Sequence, residues 1–582
     1  MHRRGDPRSG TAAIAQSLRE QIAWRDVWIV AALLVIAVVI PVAVGAASGT
    51  LSIPRNDDWS YRGMSTKLYA TGSLEFNGAS TALILGQILA VQPLLWLFGG
   101  STSAFLTFGI LASGVAVVGG YGLARRFVSR RDATISVLSL IFFPAYLAYA
   151  VSFQSDVPAL ACQLVCVGLG AIAFGRGTAP SRWLLGSVAI GFLGFSIREF
   201  ALAAPAAILV VLALREPRRA RTWVVIVGFA IACAVTLWVR AGLAVHPVGG
   251  GQLVFVPVLL LSRPLVTTSF VLLPVTLIAI SRWRGFINRR DALAGLIVGC
   301  LAVLAVFRIG TWPDALLSGL ITQAGSPDGG EMIGFRPKLF PDPIWIGIGL
   351  LGFTATLLFS AAVAGIAGAY LRRARAERRS VAGTIGTPAG LLAVYVLNVA
   401  LGLTAFGLLN QILDRYMWPA IPVLAVLLLR RPTGPGEPWA ALASAGAIPQ
   451  VALARLAVVA MLVLATMSGA FQLNSNAYDG ARWRAGLALV DMGFSADTTD
   501  AGNEWVESHQ TGVVTRSAPA PIWYETYWPN FRLCAFVSAS SSFEIPGQSL
   551  LKVDEKAYKL LLFFGPEERF LYYKVDRPDC PS

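Results

Sequence analysis

Charged residues are scarce in this sequence, and the motifs of the common soluble enzymes are missing. Lys, Arg, Asp and Glu make up 14% of the 582 residues, against roughly 25% in an average soluble domain. The three histidines are scattered. There is no Walker loop, no dinucleotide fingerprint after a strand, no HExxH motif and no Ser-His-Asp set. An ordinary soluble domain is excluded, and no nucleotide cofactor is expected.

Long apolar runs stand where charge is missing, since 55% of the residues are hydrophobic. A membrane-spanning helix needs roughly 20 mostly apolar residues, and such runs recur from residue 27 to residue 470. They predict a polytopic α-helical membrane protein with about 12 or 13 transmembrane helices. The predicted helices cover 27–48, 102–123, 134–150, 158–174, 183–197, 201–214, 222–243, 262–280, 292–307, 344–370, 386–408, 417–430 and 450–470.

Arginine clusters alternate along the chain with loops that carry few basic residues. The clusters lie before residue 26, at 125–131, 215–221, 282–290 and 372–379, and at 430–431. Cytoplasmic loops retain Lys and Arg, so this pattern predicts a multi-pass protein of the cell membrane with a cytoplasmic N-terminus. The net charge of +15 then reflects topology and contact with anionic lipids, and no nucleic-acid partner is expected. The bias toward Ala, Arg and Gly indicates a bacterial source.

Composition divides the chain into three parts. Residues 1–26 form a basic cytoplasmic N-terminus, residues 27–470 a transmembrane domain, and residues 471–582 a small extracytoplasmic domain of α+β or β-rich type. The first outer loop, 49–101, has an apolar second half that is broken by glutamine and proline. That pattern predicts helices lying along the membrane interface.

The six cysteines fall into two groups. Cys162, Cys166, Cys233 and Cys300 lie in apolar helices, where we expect small buried hydrophobic side chains. Cys534 and Cys580 both lie in the outer domain, where oxidising conditions permit a disulfide. Whether these two cysteines form one is left open by the sequence.

Two acidic sites lie just outside long apolar segments. Asp57 and Asp58 occur in NDDWSY, and Asp156 occurs in SFQSDVP. Carboxylates at the mouth of a membrane bundle are costly to desolvate, so they indicate a reaction centre. Two structural roles compete with this interpretation. Asp58 could cap an interfacial helix, and Asp156 could cap the helix that SDVPAL opens, with Pro158 in its first turn.

Two arginines at the outer ends of later helices are candidates for binding a phosphate. Arg198 lies in IREFALAAP and Arg415 in DRYMWPAIP, and a guanidinium can bind two phosphate oxygens at once. Tyr416 and Lys67 are further candidates. The arginines could instead snorkel at the interface or pair with the neighbouring Glu199 and Asp414. Weaker candidates on the same face are Glu75, Arg308, Arg336 and Lys338.

The order and sidedness of these elements resemble the GT-C superfamily of polyprenyl-phosphate-sugar-dependent glycosyltransferases, which includes the protein O-mannosyltransferases and the lipid A aminoarabinose transferase. The shared elements are the acidic pair after helix one, SDVPAL, IREFALAAP, DRYMWPAIP and a C-terminal outer domain. One departure is that no Lys-Pro-Pro element follows the acidic pair.

The resemblance implies transfer of a hexosyl or pentosyl unit from a polyprenyl phosphate to a hydroxyl group of an envelope glycan, a lipid or a protein. It implies Asp57 or Asp58 as the base, with Asp156 orienting the site. Asp57 and Asp156 could also bind a divalent cation, for which oxygen ligands suit Mg or Mn and do not exclude Zn. We expect a single, inverting displacement.

Two other functions are weighed against this one. Polytopic bundles with membrane charges also move lipid-linked sugars as transporters or flippases. A third reading is an inactive scaffold for envelope assembly. The acids cluster on one face and no internal repeat is visible, which favours an enzyme; the intact Asp57, Asp58 and Asp156 argue against the scaffold.

Overall fold

Helices make up most of the chain in a computed structural model. The structure describes residues 24–76, 80, 82–175, 182–243, 257–309, 322–324, 337–378, 380–408, 412–430, 447–510, 528, 531–539, 549–578 and 580. Most of the basic N-terminus and Arg336 lie outside the described residues.

Three helices cover the first part of the chain. They are α1 (Trp24–Ser48), α2 (Asp58–Thr71) and α3 (Leu85–Leu97). Both α2 and α3 lie within the predicted outer loop, and α3 keeps Pro93 inside it. At 14 and 13 residues, each is shorter than the roughly 20 residues that a span requires.

The remaining helices match the predicted apolar segments. They are α4 (Thr102–Arg125), α5 (Arg130–Ile141), α6 (Asp156–Gly175), α7 (Arg182–Ile197), α8 (Ala203–Arg215), α9 (Ala220–Leu243), α10 (Pro257–Val271), α11 (Leu273–Trp283), α12 (Arg289–Ile309), α13 (Asp342–Ala376), α14 (Pro388–Leu408), α15 (Ala420–Leu429) and α16 (Ala447–Asp491). Short helical turns occur at Tyr146–Tyr149 and Val381–Ile385. The predicted polytopic helical class is confirmed.

Not every predicted segment is a full span. Among the described residues, eight helices are long and apolar enough to cross a membrane, and α10 with α11, bent by 74°, would make a ninth. The other segments correspond to the shorter helices α5, α7, α8 and α15. Hydropathy locates these segments correctly, but a short helix packed among longer ones has the same composition as a spanning helix.

The helices differ in how deeply they are buried. In the most apolar 18-residue stretch of α6, 72% of the residues are buried, against 17% in the corresponding stretch of α9. Large apolar side chains on α9 and α12, such as Trp238 and Leu304, are exposed, as lipid contact requires. Cys300 on α12 is also exposed, so the expectation that it is buried is wrong, whereas Cys166 on α6 is buried. Helix α6 is therefore central.

Arginines at the helix ends meet on one face of the bundle. Arg282 at the end of α11 binds both carboxylate oxygens of Asp132 in α5, at 2.6 and 2.9 Å. Arg125 and Arg130 share Asp26 Oδ1 at 3.2 and 2.8 Å. We call this the basic face. Helices α1 and α5 begin at the basic face, and α2 and α6 follow their far ends. The starts of α2 and α6 therefore lie on the opposite face, as the alternation of arginine clusters predicts.

The C-terminal domain contains a small mixed sheet. Its strands are β1 (Thr499–Asp500), β2 (Ala535–Ser538), β3 (Leu550–Leu561) and β4 (Phe564–Val575), and helix α17 (Asn503–His509) follows β1. The strand order is β1-β2-β4-β3, with β1 parallel to β2 and the other pairs antiparallel. The predicted α+β or β-rich module is confirmed.

Helix α16 joins this sheet to the bundle. Tyr478 on α16 packs against Phe570 on β4, with ring centroids 5.2 Å apart. The helix runs unbroken to Asp491, so the predicted domain boundary at residue 470 lies inside it. The apolar composition stops there while the helix continues. A disulfide between Cys534 and Cys580, with Cα atoms 5.4 Å apart, decides the question that the sequence leaves open.

Candidate active site

Four chain segments converge at the face opposite the basic face. They are the start of α2, the start of α6, the residue that follows α7 and a 3₁₀ turn, Asp414–Met417, before α15. The first two are joined directly, because Gln154 donates from its side chain to the carbonyl of Arg55 at 2.5 Å. The loop before α6 therefore holds the loop before α2.

Asp57 is the accessible carboxylate of the site. It precedes the first residue of α2 and makes no side-chain cap to that helix. Its side chain is 45% exposed. The Oδ2 atom accepts from Tyr61 Oη at 3.5 Å and from Arg415 Nη2 at 3.4 Å. These contacts are long for hydrogen bonds, so the carboxylate is oriented but not tightly held.

Asp156 is buried and lies between two arginines. It is the first residue of α6, where Pro158 is tolerated because the first turn needs no amide donor. Its Oδ2 lies 3.3 Å from Arg415 Nε, and its Oδ1 lies 3.8 Å from Arg198 Nε. Within the described part of the chain, Asp156 Oδ1 and Arg415 Nε are buried without a hydrogen-bond partner. The charges are paired, but hydrogen-bonding capacity remains.

Backbone breaks place the two arginines. Arg198 follows α7 in an extended conformation, and a 3₁₀ turn begins at Glu199. Arg415 lies in the 3₁₀ turn, and α15 starts after Pro419, as DRYMWPAIP predicts. Both side chains are buried, at 8% and 6% exposed, so interfacial snorkelling does not describe them.

Hydroxyl groups complete the arginine cluster. Arg198 Nη1 donates to Tyr61 Oη at 3.2 Å and to Ser155 Oγ at 3.1 Å, while Nη2 donates to Tyr416 Oη at 3.3 Å. Burial raises the pKa of the Tyr61 phenol above its ordinary value, and the negative charge of Asp57 raises it further. The phenol therefore stays protonated. Sequence reasoning missed Tyr61 and Ser155, although Tyr61 lies four residues after Asp57, on the same helix face.

Asp58 has a different environment from Asp57. It is fully buried, and Arg62 binds it with two bonds, Nε to Oδ1 at 2.5 Å and Nη2 to Oδ2 at 2.8 Å. The amide of Phe153 also donates to Oδ2 at 3.3 Å. Asp58 thereby ties α2 to the loop before α6. The alternative role as a helix cap is not observed for Asp58, because it is the first helical residue and Asp57 occupies the N-cap position.

Several other candidates lie apart from this cluster. Lys67 forms an ion pair with Glu75 in which both side chains are about half exposed. Lys338 pairs with Asp342 at 2.5 Å on the surface. Asp414 accepts from the backbone amide of Arg415 at 2.7 Å, and the Arg415 side chain contacts Asp57 and Asp156 instead. Arg198 likewise contacts Asp156 rather than forming an ion pair with Glu199.

The described side chains at this site do not form a metal site. Among the described residues, no group of three or more His, Cys, Asp or Glu side chains could hold a metal ion. Asp57 and Asp156 both face Arg415, so a guanidinium occupies the position between these two carboxylates. With this guanidinium between them, Asp57 and Asp156 do not fit a divalent cation.

Comparisons with known proteins place this site in a family context. Residues 83–241 match the family of dolichyl-phosphate-mannose-protein mannosyltransferases. No curated protein matches the chain. The matched segment runs from α3 to α9 and contains Asp156 and Arg198.

Distant likenesses to solved structures extend over most of the chain. The crystal structure of ArnT from Cupriavidus metallidurans bound to undecaprenyl phosphate is 13% identical, with a TM-score of 0.37, and the match covers 94% of this chain and 99% of ArnT. The archaeal oligosaccharyltransferase AglB from Archaeoglobus fulgidus is 11% identical, with a TM-score of 0.31, over 88% of this chain and 69% of AglB.

The family match, rather than these distant structures, tests the resemblance predicted from the sequence. It falls on the helices that carry one acidic site and one of the two arginines. The prediction is confirmed over residues 83–241, which resemble the dolichyl-phosphate-mannose-protein mannosyltransferases, one of the GT-C groups named from the sequence.

Proposed function

We propose that this chain transfers a monosaccharide from a polyprenyl-phosphate donor to a hydroxyl acceptor at the membrane face that carries Asp57. The acceptor is an envelope glycan, a lipid or a protein. The observation that carries the proposal is the geometry at Arg415, which contacts a half-exposed carboxylate, Asp57, on one side and a buried carboxylate, Asp156, on the other.

Asp57 is the general base in this proposal. It removes the proton of the acceptor hydroxyl as that oxygen attacks the anomeric carbon, and the bond from that carbon to the phosphate oxygen breaks. The polyprenyl phosphate leaves with the bonding electrons, and the proton passes from Asp57 to solvent. A single displacement of this kind inverts the anomeric centre. The exposure of Asp57 supports this role, because an acceptor can reach it.

Arg198 and Arg415 are proposed to hold the donor phosphate. Their charges would stabilise the leaving phosphate inside a buried site, where such contacts are strong. The 3.4 Å contact from Arg415 to Asp57 is weak enough for a phosphate oxygen to replace it. Donor binding would then release Asp57 to act as a base. Asp156 stays buried and keeps both guanidiniums in position.

The location of the site follows from the arginine pattern. With the basic face in the cytoplasm, the site and the C-terminal domain lie on the extracytoplasmic side of a bacterial cell membrane. A polyprenyl donor would then enter from the bilayer, and the acceptor would come from the aqueous side. In a variant that lacks the four free cysteines, a membrane-impermeant thiol reagent applied from outside should label a cysteine introduced at Ser52 but not one at Thr384. The reverse pattern would contradict this orientation.

The decisive experiment measures transfer directly. Purified protein is incubated with a panel of radiolabelled polyprenyl-phosphate monosaccharides and envelope extract, and product formation is compared for wild type, Asp57→Asn and Asp342→Asn. The control, Asp342, is exposed and paired only with Lys338 among the contacts described above. We expect transfer by wild type and by the control, and a loss of about 10²- to 10⁴-fold in Asp57→Asn.

Other outcomes would overturn the proposal. If Asp57→Asn transfers sugar as fast as the control, Asp57 is not the base. If wild type leaves every donor intact but moves labelled lipid across a vesicle bilayer, the chain is a transporter. If wild type does neither with any donor and extract, the enzymatic proposal fails and a scaffold role takes its place.

A further inference from the structure

A second buried cluster of charges lies beside the site and is not used by the proposed chemistry. Asp479 on α16 contacts Arg55 at 3.6 Å and Arg482 at 3.2 Å. Arg482 also binds Glu504 on α17 at 2.8 Å. All four side chains are at most 8% exposed. We call these four residues the anchoring cluster.

The anchoring cluster contacts the residue that precedes Asp57 in the chain. Glu504 Oε1 accepts from the backbone amide of Asn56 at 3.0 Å. Asn56 has a φ of +52°, a left-handed conformation that is uncommon outside glycine, although asparagine adopts it more often than most residues. The side-chain oxygen of Asn56 in turn accepts from the amide of Asp57 at 2.7 Å. The direction of the chain at Asp57 therefore depends on a conformation that Glu504 helps to hold.

The other end of the cluster fixes the same loop to the bundle. Arg55 donates to Asn476 Oδ1 and to Ser475 Oγ, both at 2.8 Å, and to the carbonyl of Ala148 at 3.3 Å. Two successive residues, Arg55 and Asn56, are thus held by α16 and α17.

We propose that Glu504 is a positioning residue for the transfer reaction, through which the C-terminal domain holds the loop that carries Asp57. This inference rests on the proposed function, with Asp57 as the base. Glu504 does not contact the reacting atoms. It holds the amide of Asn56, and Asn56 holds the amide of Asp57, so loss of Glu504 would let the carboxylate drift from the acceptor. A displacement of about 1 Å can cost about 100-fold in rate.

The test uses the full-length protein in detergent or nanodiscs and two separate measurements. The first is hydrogen–deuterium exchange of the peptide that contains residues 55–58. The second is kcat and KM for the radiolabelled donor. The variants are Glu504→Ala, Glu504→Gln, whose amide oxygen can still accept from Asn56, and the control Glu567→Gln. Glu567 is an exposed residue of the same domain that lies 3.6 Å from Lys559.

We expect faster exchange at 55–58 in Glu504→Ala, a kcat lowered by about 10- to 100-fold and a donor KM changed by less than about threefold. Glu504→Gln should recover most of the kcat, and the control should match wild type. In an Asp57→Asn background, Glu504→Ala should cause no further loss of the residual rate, because it acts through Asp57. A merely structural role would lower the rate in both backgrounds.

Three results would overturn the inference. They are unchanged exchange at 55–58 in Glu504→Ala, faster exchange without a change in kcat, and equal losses in the wild-type and Asp57→Asn backgrounds. If wild type itself transfers no sugar while exchange rises in Glu504→Ala alone, the proposed function fails and the anchoring of the loop is supported. If Glu504→Ala does not fold, Glu504→Asp takes its place, because it keeps a carboxylate for Arg482 but is one methylene too short to reach the Asn56 amide as well. Exchange and kcat equal to those of Glu567→Gln would then overturn the inference.

Discussion

The active-site cluster and the anchoring cluster are built from the same residue types but differ in how tightly their charges are bound. In the active-site cluster, formed by Asp57, Asp156, Arg198 and Arg415, Arg415 lies 3.4 Å from Asp57 and 3.3 Å from Asp156. Among the described residues, two of its buried polar atoms have no hydrogen-bond partner. In the anchoring cluster, the contacts of Asp479 are equally long, at 3.2 and 3.6 Å, but Arg482 also binds Glu504 and the carbonyl of Ala501, both at 2.8 Å. A short bond with good geometry is hard to replace, and a long one is not.

This difference separates charges that serve structure from charges available to a ligand. A buried ion pair gives little net stability unless its remaining hydrogen bonds are made. The anchoring cluster makes most such bonds and fixes two segments, although Arg482 Nε has no hydrogen-bond partner among the described residues. The active-site cluster leaves more of them open, at both Asp156 Oδ1 and Arg415 Nε among the described residues, and a donor phosphate oxygen would supply the acceptor that Arg415 Nε lacks. The adjacent residues Asp57 and Asp58 differ in the same way, because Asp57 makes long contacts and Asp58 makes short ones.

Substitution of the two adjacent acids should give the largest contrast in stability. Asp58→Asn breaks a buried two-bond pair with Arg62, and we expect a loss of about 3 kcal/mol. Asp57→Asn, at a half-exposed side chain, should change stability by less than about 0.5 kcal/mol. Thermal unfolding in detergent measures both. Equal losses would show that Asp57 is as tightly held as Asp58.

Replacing the site arginines should lower the rate more than the stability. Arg415→Lys and Arg198→Lys keep the charge but lose the planar fork that binds two oxygens. We expect kcat to fall by about 100-fold, while the unfolding midpoint falls by only a few degrees. The matched control is Arg569→Lys, at an exposed arginine that pairs with Glu555. A normal kcat in Arg415→Lys would contradict a role for the planar guanidinium of Arg415.

The pH dependence of stability should reveal a buried acid in the C-terminal domain. Burial raises the pKa of Asp500 to about 7 from its ordinary value of 3.8, and the Gly502 amide and Arg482 oppose the shift. The folded chain therefore holds a proton that the unfolded chain releases between pH 3.8 and about 7. Stability from this group is fully present below about pH 4 and is lost as pH rises through about 7.

Asp500→Asn should remove that dependence. The variant's amide oxygen can still accept from Gly502, whose amide lies 2.7 Å from Asp500 Oδ1, and no charge develops on raising the pH. At pH 8 we expect the variant to be more stable than wild type by about 4 kcal/mol, with the difference vanishing near pH 4. Unfolding midpoints at several pH values measure it. A difference that does not vary with pH would contradict the assignment to Asp500.

The smallest effect is expected at the exposed pair of Lys67 and Glu75. Such surface pairs contribute about 0–1 kcal/mol, so Lys67→Ala should leave the unfolding midpoint nearly unchanged. Its distance from the arginine cluster along α2 also leads us to expect an unchanged donor KM. If the donor KM rises several-fold while kcat is kept, Lys67 binds donor as the sequence predicts, and the site is wider than the cluster around Arg415.

Much of the fold could be read from composition, because the bilayer leaves a chain few choices. The apolar segments predicted from hydropathy all contain helices, and the loss of apolar residues after 470 marks the C-terminal domain. The span count was harder, since α5, α7, α8 and α15 are apolar but short. The boundary was harder still, because α16 continues as one helix through the change in composition.

For the site, the sequence identified the residue types and their common face but not their roles. Charges at apolar helix ends singled out Asp57, Asp58, Asp156, Arg198 and Arg415, since each is costly there without a purpose. It could not separate Asp57 from Asp58, because the difference lies in their partners. Arg62 is four residues from Asp58, and Arg415 reaches Asp57 across the fold.

The sequence by itself determined a polytopic membrane helical bundle, its arginine alternation and a set of polar residues on one face, since these follow from solvation by lipid and are local in the chain. Only the tertiary structure decided which charges meet, which carboxylate stays accessible, and that α16 and α17 hold the loop before Asp57. Those outcomes depend on contacts between segments far apart in the chain, such as Arg415 with Asp57, 358 residues apart, and Asn56 with Glu504, 448 residues apart. No local pattern records such a contact.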